Sequence, residues 1–176
     1  MSDSQKYPVL IRLLHWLMAI GILGLIGSGW FMADLDQDVS YKYDIYPWHK
    51  SFGILILFAF VIRLILRVIS SIPKLPHTMP GHEKKLAHST HHLLYLMMFL
   101  VPASGYLMSS MGGRDTFLFK LKMPDIADNE EWAAIMHTIH EYSPYVLLGI
   151  IGLHVLGVLK HKFMDLPEHD VLKRML

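Results

Sequence analysis

Four apolar blocks, each long enough to cross a lipid bilayer, constrain this chain more than any other feature. They run over approximately 9–32, 48–69, 91–110 and 144–163. A hydrocarbon core of about 30 Å takes roughly 20 apolar residues as helix. In lipid, only a helix or a closed barrel satisfies its own backbone polar groups. The pattern therefore predicts an all-α integral membrane four-helix bundle. Of the 176 residues, 53% are hydrophobic, and the blocks take up roughly half the chain, which leaves little for a separate soluble domain. A single domain over 1–176 is expected. The first block is too long for a signal-peptide core and ends in no clear small-residue cleavage pattern, so it reads as a retained first helix.

Charge orients the bundle. Four spans put both termini on one side. That side carries eleven of the sixteen Lys and Arg residues, and the other carries Lys42, Lys50, Arg114, Lys120 and Lys122. Excess positive charge marks the cytoplasmic side, so both termini are expected in the cytoplasm. The opposite loops hold most of the acids, among them Asp34, Asp36, Asp38, Asp44, Asp115, Asp125 and Asp128.

Along the chain, the first helix opens after Pro8 and carries Gly21, Gly24, Gly27 and Gly29, small residues that let a helix or a flat macrocycle approach. Trp16 and Trp30 suit the two interfaces. Pro47 has the character of a first helical residue and starts the second helix, with His49 in its first turn and Arg63 and Arg67 at its other end. The connection 70–87 contains Pro73, Pro76, Pro80 and Gly81 and reads as turns. The third helix opens at His88 and is expected to kink at Pro102. Segment 111–127 reads as loop. Asp128 and Glu131 have capping-box spacing for a further helix, which runs into the fourth span with a kink expected near Pro144. The tail after Lys162 is polar and short.

There is no cysteine, which excludes disulfides, thiolate ligands, iron–sulfur clusters and covalently attached haem. Twelve dispersed histidines are present. Ionisable residues inside spans are costly and are functional candidates by default. His15 lies about two turns into the first span, His49 at the outer end of the second, and His140 at the outer end of the fourth. His154 lies deeper in the fourth span. At 100° and 1.5 Å per residue, the fourteen-residue step from His140 to His154 leaves them about 40° apart in phase and about 21 Å apart along the axis. The depths match: His15 with His154 near the inner side, His49 with His140 near the outer side. Two non-covalent b-type haems, each with an imidazole above and below the iron, need this arrangement. His137 is the alternative to His140, but lies about 100° off the face of His154.

Other clusters are open to more than one reading. His88 and His92 have the i, i+4 spacing of a metal pair, and with His91 they also read as a solvated interfacial cluster or as proton donors at an inner quinone site. Arg12, Arg63 and Arg67 suit either haem propionates or positive-inside anchoring. No phosphate loop, catalytic triad or nucleotide motif occurs, and nothing points to nucleic acid or to an obligatory protein partner.

Three segments resemble the bacterial cytochrome b561 family: YPVLIRLLHWLMA with His15, YPWHKSFG with His49, and HTIHEYSPYVLLGIIGLHVLGVLKH with His140 and His154. The resemblance extends over essentially the whole chain. It implies a quinone-linked redox protein of the bacterial inner membrane with two haem b groups. For stand-alone members it implies superoxide oxidase activity, in which superoxide reduces the outer haem and ubiquinone is the acceptor. Related cytochrome subunits anchor dehydrogenases and hydrogenases to the quinone pool, and that role is the alternative. The short loops argue mildly against it. A haem-free metal or proton transporter is a third reading, which an absorption spectrum would decide. Arg114, Lys120 and Lys122 are candidates for a local positive patch that steers a small anion such as superoxide.

Overall fold

The computed structural model describes residues 6–176. Four long helices form the bundle: α1 (Val9–Asp34), α2 (Lys42–Ile69), α3 (Gly81–Met111) and α4 (Glu130–Phe163). Each is apolar and long enough to cross a membrane. At 1.5 Å per residue they also exceed the roughly 30 Å hydrocarbon layer, so their ends project from it. The end that carries both chain termini is called the terminal end below, and the opposite end the distal end.

Several boundaries differ from the sequence expectation. Pro47 does not start α2 but lies inside it. The helix begins at Lys42 because a run of i→i−3 bonds from Lys42, Tyr43 and Asp44 to Val39, Ser40 and Tyr41 winds up the chain first. The Lys42 ammonium also donates to Leu35 O. As the sixth helical residue, Pro47 lies past the first turn, so it gives up the bond to Tyr43 O and its ring crowds that carbonyl. Likewise α3 opens at Gly81 after Pro80, not at His88. Pro80 ends the connection in extended geometry, and Glu83 supplies the acidic first turn that favours a helix N-terminus. The cap of α4 is Asn129, whose side chain accepts from the Trp132 amide at 3.0 Å, rather than Asp128. Both α3 and α4 run on as helix through Pro102 and Pro144.

Segment 111–127 is not all loop. It holds a hairpin, β1 (Phe117–Leu118) against β2 (Leu121–Lys122). The two-residue turn places Phe119 at φ 55°, a left-handed conformation that costs a non-glycine residue about 1–2 kcal/mol. Ser51 of α2 holds it there. Its hydroxyl donates to Phe117 O at 3.0 Å and accepts the Phe119 amide at 2.8 Å. The Phe119 ring packs edge-on against Phe52 and Trp48. Ser51→Ala removes both bonds, so amide exchange in 117–122 is expected to rise about tenfold, matching a loss of roughly 1–2 kcal/mol. Hydrogen-exchange mass spectrometry checks this.

Backbones approach closely between α1 and α2, α2 and α3, and α3 and α4, whereas α4 meets α1 and α2 chiefly through side chains. A compact apolar waist of Met18, Ile22, Ile26, Phe60, Met97 and Leu147 ties all four helices together at mid-height. Lipid-facing surface is provided by exposed apolar residues such as Leu17, Ile20, Ile62, Ile65, Leu153 and Leu156. At the terminal end the tail folds back as two single 3-10 turns, Pro167–His169 and Leu172–Arg174. Arg12 binds Leu176 O, and the Trp16 indole donates to Met175 O at 2.9 Å. The predicted polar tail is therefore an ordered floor under α1.

Candidate functional site

The apolar waist separates two histidine levels. On α4, Leu147 stands seven residues from both His140 and His154, nearly two turns each way. At the distal level the His49 and His140 rings face each other with centroids 6.2 Å apart and planes at 83°. At the terminal level His15 and His154 stand 6.3 Å apart at 70°. Two imidazoles on opposite sides of one iron are separated by two metal–nitrogen bonds of about 2 Å and two ring radii of about 1.1 Å, a centroid spacing of about 6.2 Å. Both pairs meet that spacing. His137 does not join them: its side chain is 63% exposed and faces Glu141 at 4.0 Å.

The distal pair has its tautomer set by neighbours. With the Ser28 hydroxyl donating to Leu25 O at 3.1 Å, its oxygen accepts from His49 Nδ1 at 3.0 Å. The Val101 carbonyl accepts from His140 Nδ1 at 2.8 Å. Each ring then carries its proton on Nδ1 and keeps Nε2 bare, the arrangement by which outer hydrogen bonds orient metal-binding imidazoles. Gly105 makes room for this. A Cβ there would fall 2.7 Å from the His140 ring, which must pass over Gly105 to reach a carbonyl one turn earlier on α3. Gly29 does the same more loosely for His49, at 3.4 Å. Of the other glycines in α1, Gly21 packs tightly on Ile56, and Gly24 and Gly27 meet nothing within 4 Å.

The terminal level is built differently. Arg63 lies 3.3 Å from His15 Nδ1. A metal-bound His15 would carry a proton on Nδ1, so it could not keep this contact with a guanidinium that only donates. Arg63 Nε and Arg12 Nε are both buried and have no hydrogen-bond partner among the described residues. Such orphaned cationic donors call for an anion, and haem propionates have that chemistry. Arg67 stands over the Tyr7 and Tyr95 rings. His91 also comes to this level, 5.5 Å from His154, too close for the two to flank one iron. His88 and His92 are exposed instead, and the His92 ring bonds back to His88 O at 2.7 Å. The placement of His91 was legible in phase, since it precedes Gly105 by fourteen residues, the step that also separates His140 from His154.

Above the distal pair sits the hairpin. Arg114 and Lys120 are exposed there, and Arg114 is near enough to Lys50 for the two charges to repel. Lys122 is bound to Asp115 at 2.8 Å and Asp125 at 2.9 Å. Those two carboxylates raise its pKa and hold it charged, but they also cancel its field.

The comparisons agree with this architecture. The sequence profile described as prokaryotic cytochrome b561 matches residues 6–176. The protein called cytochrome b561 homolog 2 of Escherichia coli (strain K12) is 33% identical over 178 residues, covering 99% of this chain and 93% of that one. The protein called probable superoxide oxidase CybB of Yersinia pestis is 27% identical over 176 residues, covering 97% and 96% respectively. With a profile match along almost its whole length and four membrane-crossing helices, the chain belongs to the prokaryotic cytochrome b561 family of membrane electron-transfer proteins, which bind haem b.

Proposed function

We propose that this protein is a di-haem b oxidoreductase of the bacterial inner membrane that takes electrons from superoxide at the distal face and delivers them to ubiquinone. The observation that carries the reading is the two imidazole couples, 6.2 and 6.3 Å between ring centroids, one above and one below a shared apolar waist. His49 and His140 would hold one haem, His15 and His154 the other. Bound iron would supply one-electron exchange. The excess of Lys and Arg puts the terminal end in the cytoplasm.

The chain's own part is positioning and selection. Ser28 and the Val101 carbonyl fix the distal imidazoles, and Arg12 and Arg63 offer buried Nε donors, without a partner among the described residues, to propionates. Arg114 and Lys120 draw a small anion toward the distal level, with Lys122 muted by its two carboxylates. The name of the Yersinia relative, a probable superoxide oxidase, supports superoxide as that anion.

Stopped-flow mixing of the oxidised, haem-loaded protein with superoxide tests the reading. Reduction of the haem spectrum is expected within the mixing experiment, followed by reoxidation on adding ubiquinone. A protein of full haem content that superoxide leaves oxidised would overturn it. Arg114→Glu is expected to slow the superoxide step about tenfold at low ionic strength and to flatten its salt dependence, because a steering charge acts through a screened field.

A further inference from the structure

A second polar cluster lies beyond the terminal histidine pair. His161 of α4 follows His154 by seven residues, so it sits on nearly the same face about 10 Å nearer the terminal end. Its Nδ1 bonds Asp165 Oδ2 at 2.6 Å and stands 3.9 Å from Glu83 Oε2 of α3. Lys160 reaches both carboxylates, binding Glu83 Oε1 and standing 2.9 Å from Asp165 Oδ2. The side chains of Glu83, His161 and Asp165 are 17%, 12% and 14% exposed.

Charge counting defines what the cluster can do. Two carboxylates face one lysine, which leaves one negative charge uncompensated. The hydrogen bonds from Lys160 and then His161 hold Asp165 below the ordinary carboxylate range, so that charge persists at neutral pH. Glu83 Oε2 is buried, has no hydrogen bond among the described residues, and looks toward His161. His161 faces both carboxylates, so it is the group on which one added proton would neutralise the cluster. A divalent cation would compete for the same three residues, whose ligand atoms lie within 4.8 Å of one another, but the Lys160 ammonium already occupies the place between the carboxylates.

The cluster continues to water. His169, 7% exposed, places Nδ1 3.9 Å from Asp165 Oδ2. Its Nε2 lies 3.0 Å from Thr78 Oγ1. The Thr78 hydroxyl donates to Glu168 at 2.5 Å, and Glu168 is half-exposed. His82, almost fully exposed, flanks Glu83 at 3.9 Å. Titratable groups therefore step inward from Glu168 through His169 and Asp165 to His161.

We propose that Glu168, His169, Asp165 and His161, with Glu83 balancing the charge, form a proton route from the terminal-side water toward the site where quinone is reduced. This rests on the quinone reading above. Reduction of one quinone to quinol consumes two electrons, which arrive through the bundle, and two protons, which this route draws from water. The electrons come from two superoxide anions, each oxidised to dioxygen.

The test is reoxidation of anaerobically pre-reduced, haem-loaded protein by a water-soluble ubiquinone analogue, followed in the haem spectrum in H2O and D2O. Asp165→Asn and His161→Ala are each expected to slow reoxidation about a hundredfold, the low end of the roughly 10²–10⁴-fold worth of a positioned proton donor. The solvent isotope effect is expected to rise, and added imidazole to restore His161→Ala. Reduction by superoxide is expected to stay unchanged. A cluster that merely staples α3 to α4 would lower thermal stability without an isotope effect or imidazole rescue, and that result overturns the route. If His161→Ala loses its haem, the near-isosteric Asp165→Asn decides alone by rate and isotope effect. Variants that reoxidise at the wild-type rate overturn the route and leave the quinone reading intact. Wild-type haem that quinone cannot oxidise overturns both.

Discussion

His140→Ala is expected to halve the haem content of the purified protein, from two per chain to one, and to abolish reduction by superoxide. His140 has two roles in the distal couple. Its bare Nε2 faces His49 across a gap of the width that iron requires, and its Nδ1 is locked on the Val101 carbonyl. An alanine leaves His49 alone, and one imidazole does not give a six-coordinate iron. The terminal couple, separated by the apolar waist, should keep its haem, so His15→Ala is expected to remove the other group and leave the distal one. Pyridine haemochrome quantitation beside the protein concentration reads both outcomes. His137→Ala is expected to change nothing, because that ring is exposed and faces Glu141. Retention of both haems by the His140→Ala protein would sink the assignment of the distal couple.

Gly105→Val is expected to be as damaging as His140→Ala, although it touches no metal-binding atom. A Cβ at this position would lie 2.7 Å from Cε1 and 2.9 Å from Nδ1 of the His140 ring. That ring cannot yield, since moving it breaks the bond to Val101 and tilts Nε2 away from His49. Overpacking of this kind costs about 1–3 kcal/mol, and here the strain falls on the ring that must stay oriented. Loss of the distal haem with the terminal haem retained is the expected spectrum. Gly149→Ala is the control. Gly149 is exposed and a Cβ there meets nothing within 4 Å, so alanine should keep both haems and gain a few tenths to about 1 kcal/mol of helix stability.

Much of the architecture was legible in the chain because membrane helices are governed by local rules. Span length follows from the thickness of lipid, and helical phase follows from 100° per residue. Those two facts separated His140 from His137 and put His15 level with His154, and the folded chain brings the same pairs together. Helix starts were less legible. Pro47, Gly81 and His88 are local signals, whereas the actual starts depend on i→i−3 turns around Val39 to Asp44 and on polar helix that continues outside the lipid.

What the sequence determined alone is the number of membrane-length helices and the two histidine levels, since each is set by solvent and by helix periodicity. What only the tertiary structure decided is which groups meet across helices. Ser28 with His49, Val101 and Gly105 with His140, Ser51 with the hairpin, and Glu83 with His161 are separated by 21 to 78 positions in the chain. No local pattern encodes such contacts, because they depend on how close two backbones come and on which side-chain atoms then compete for one partner.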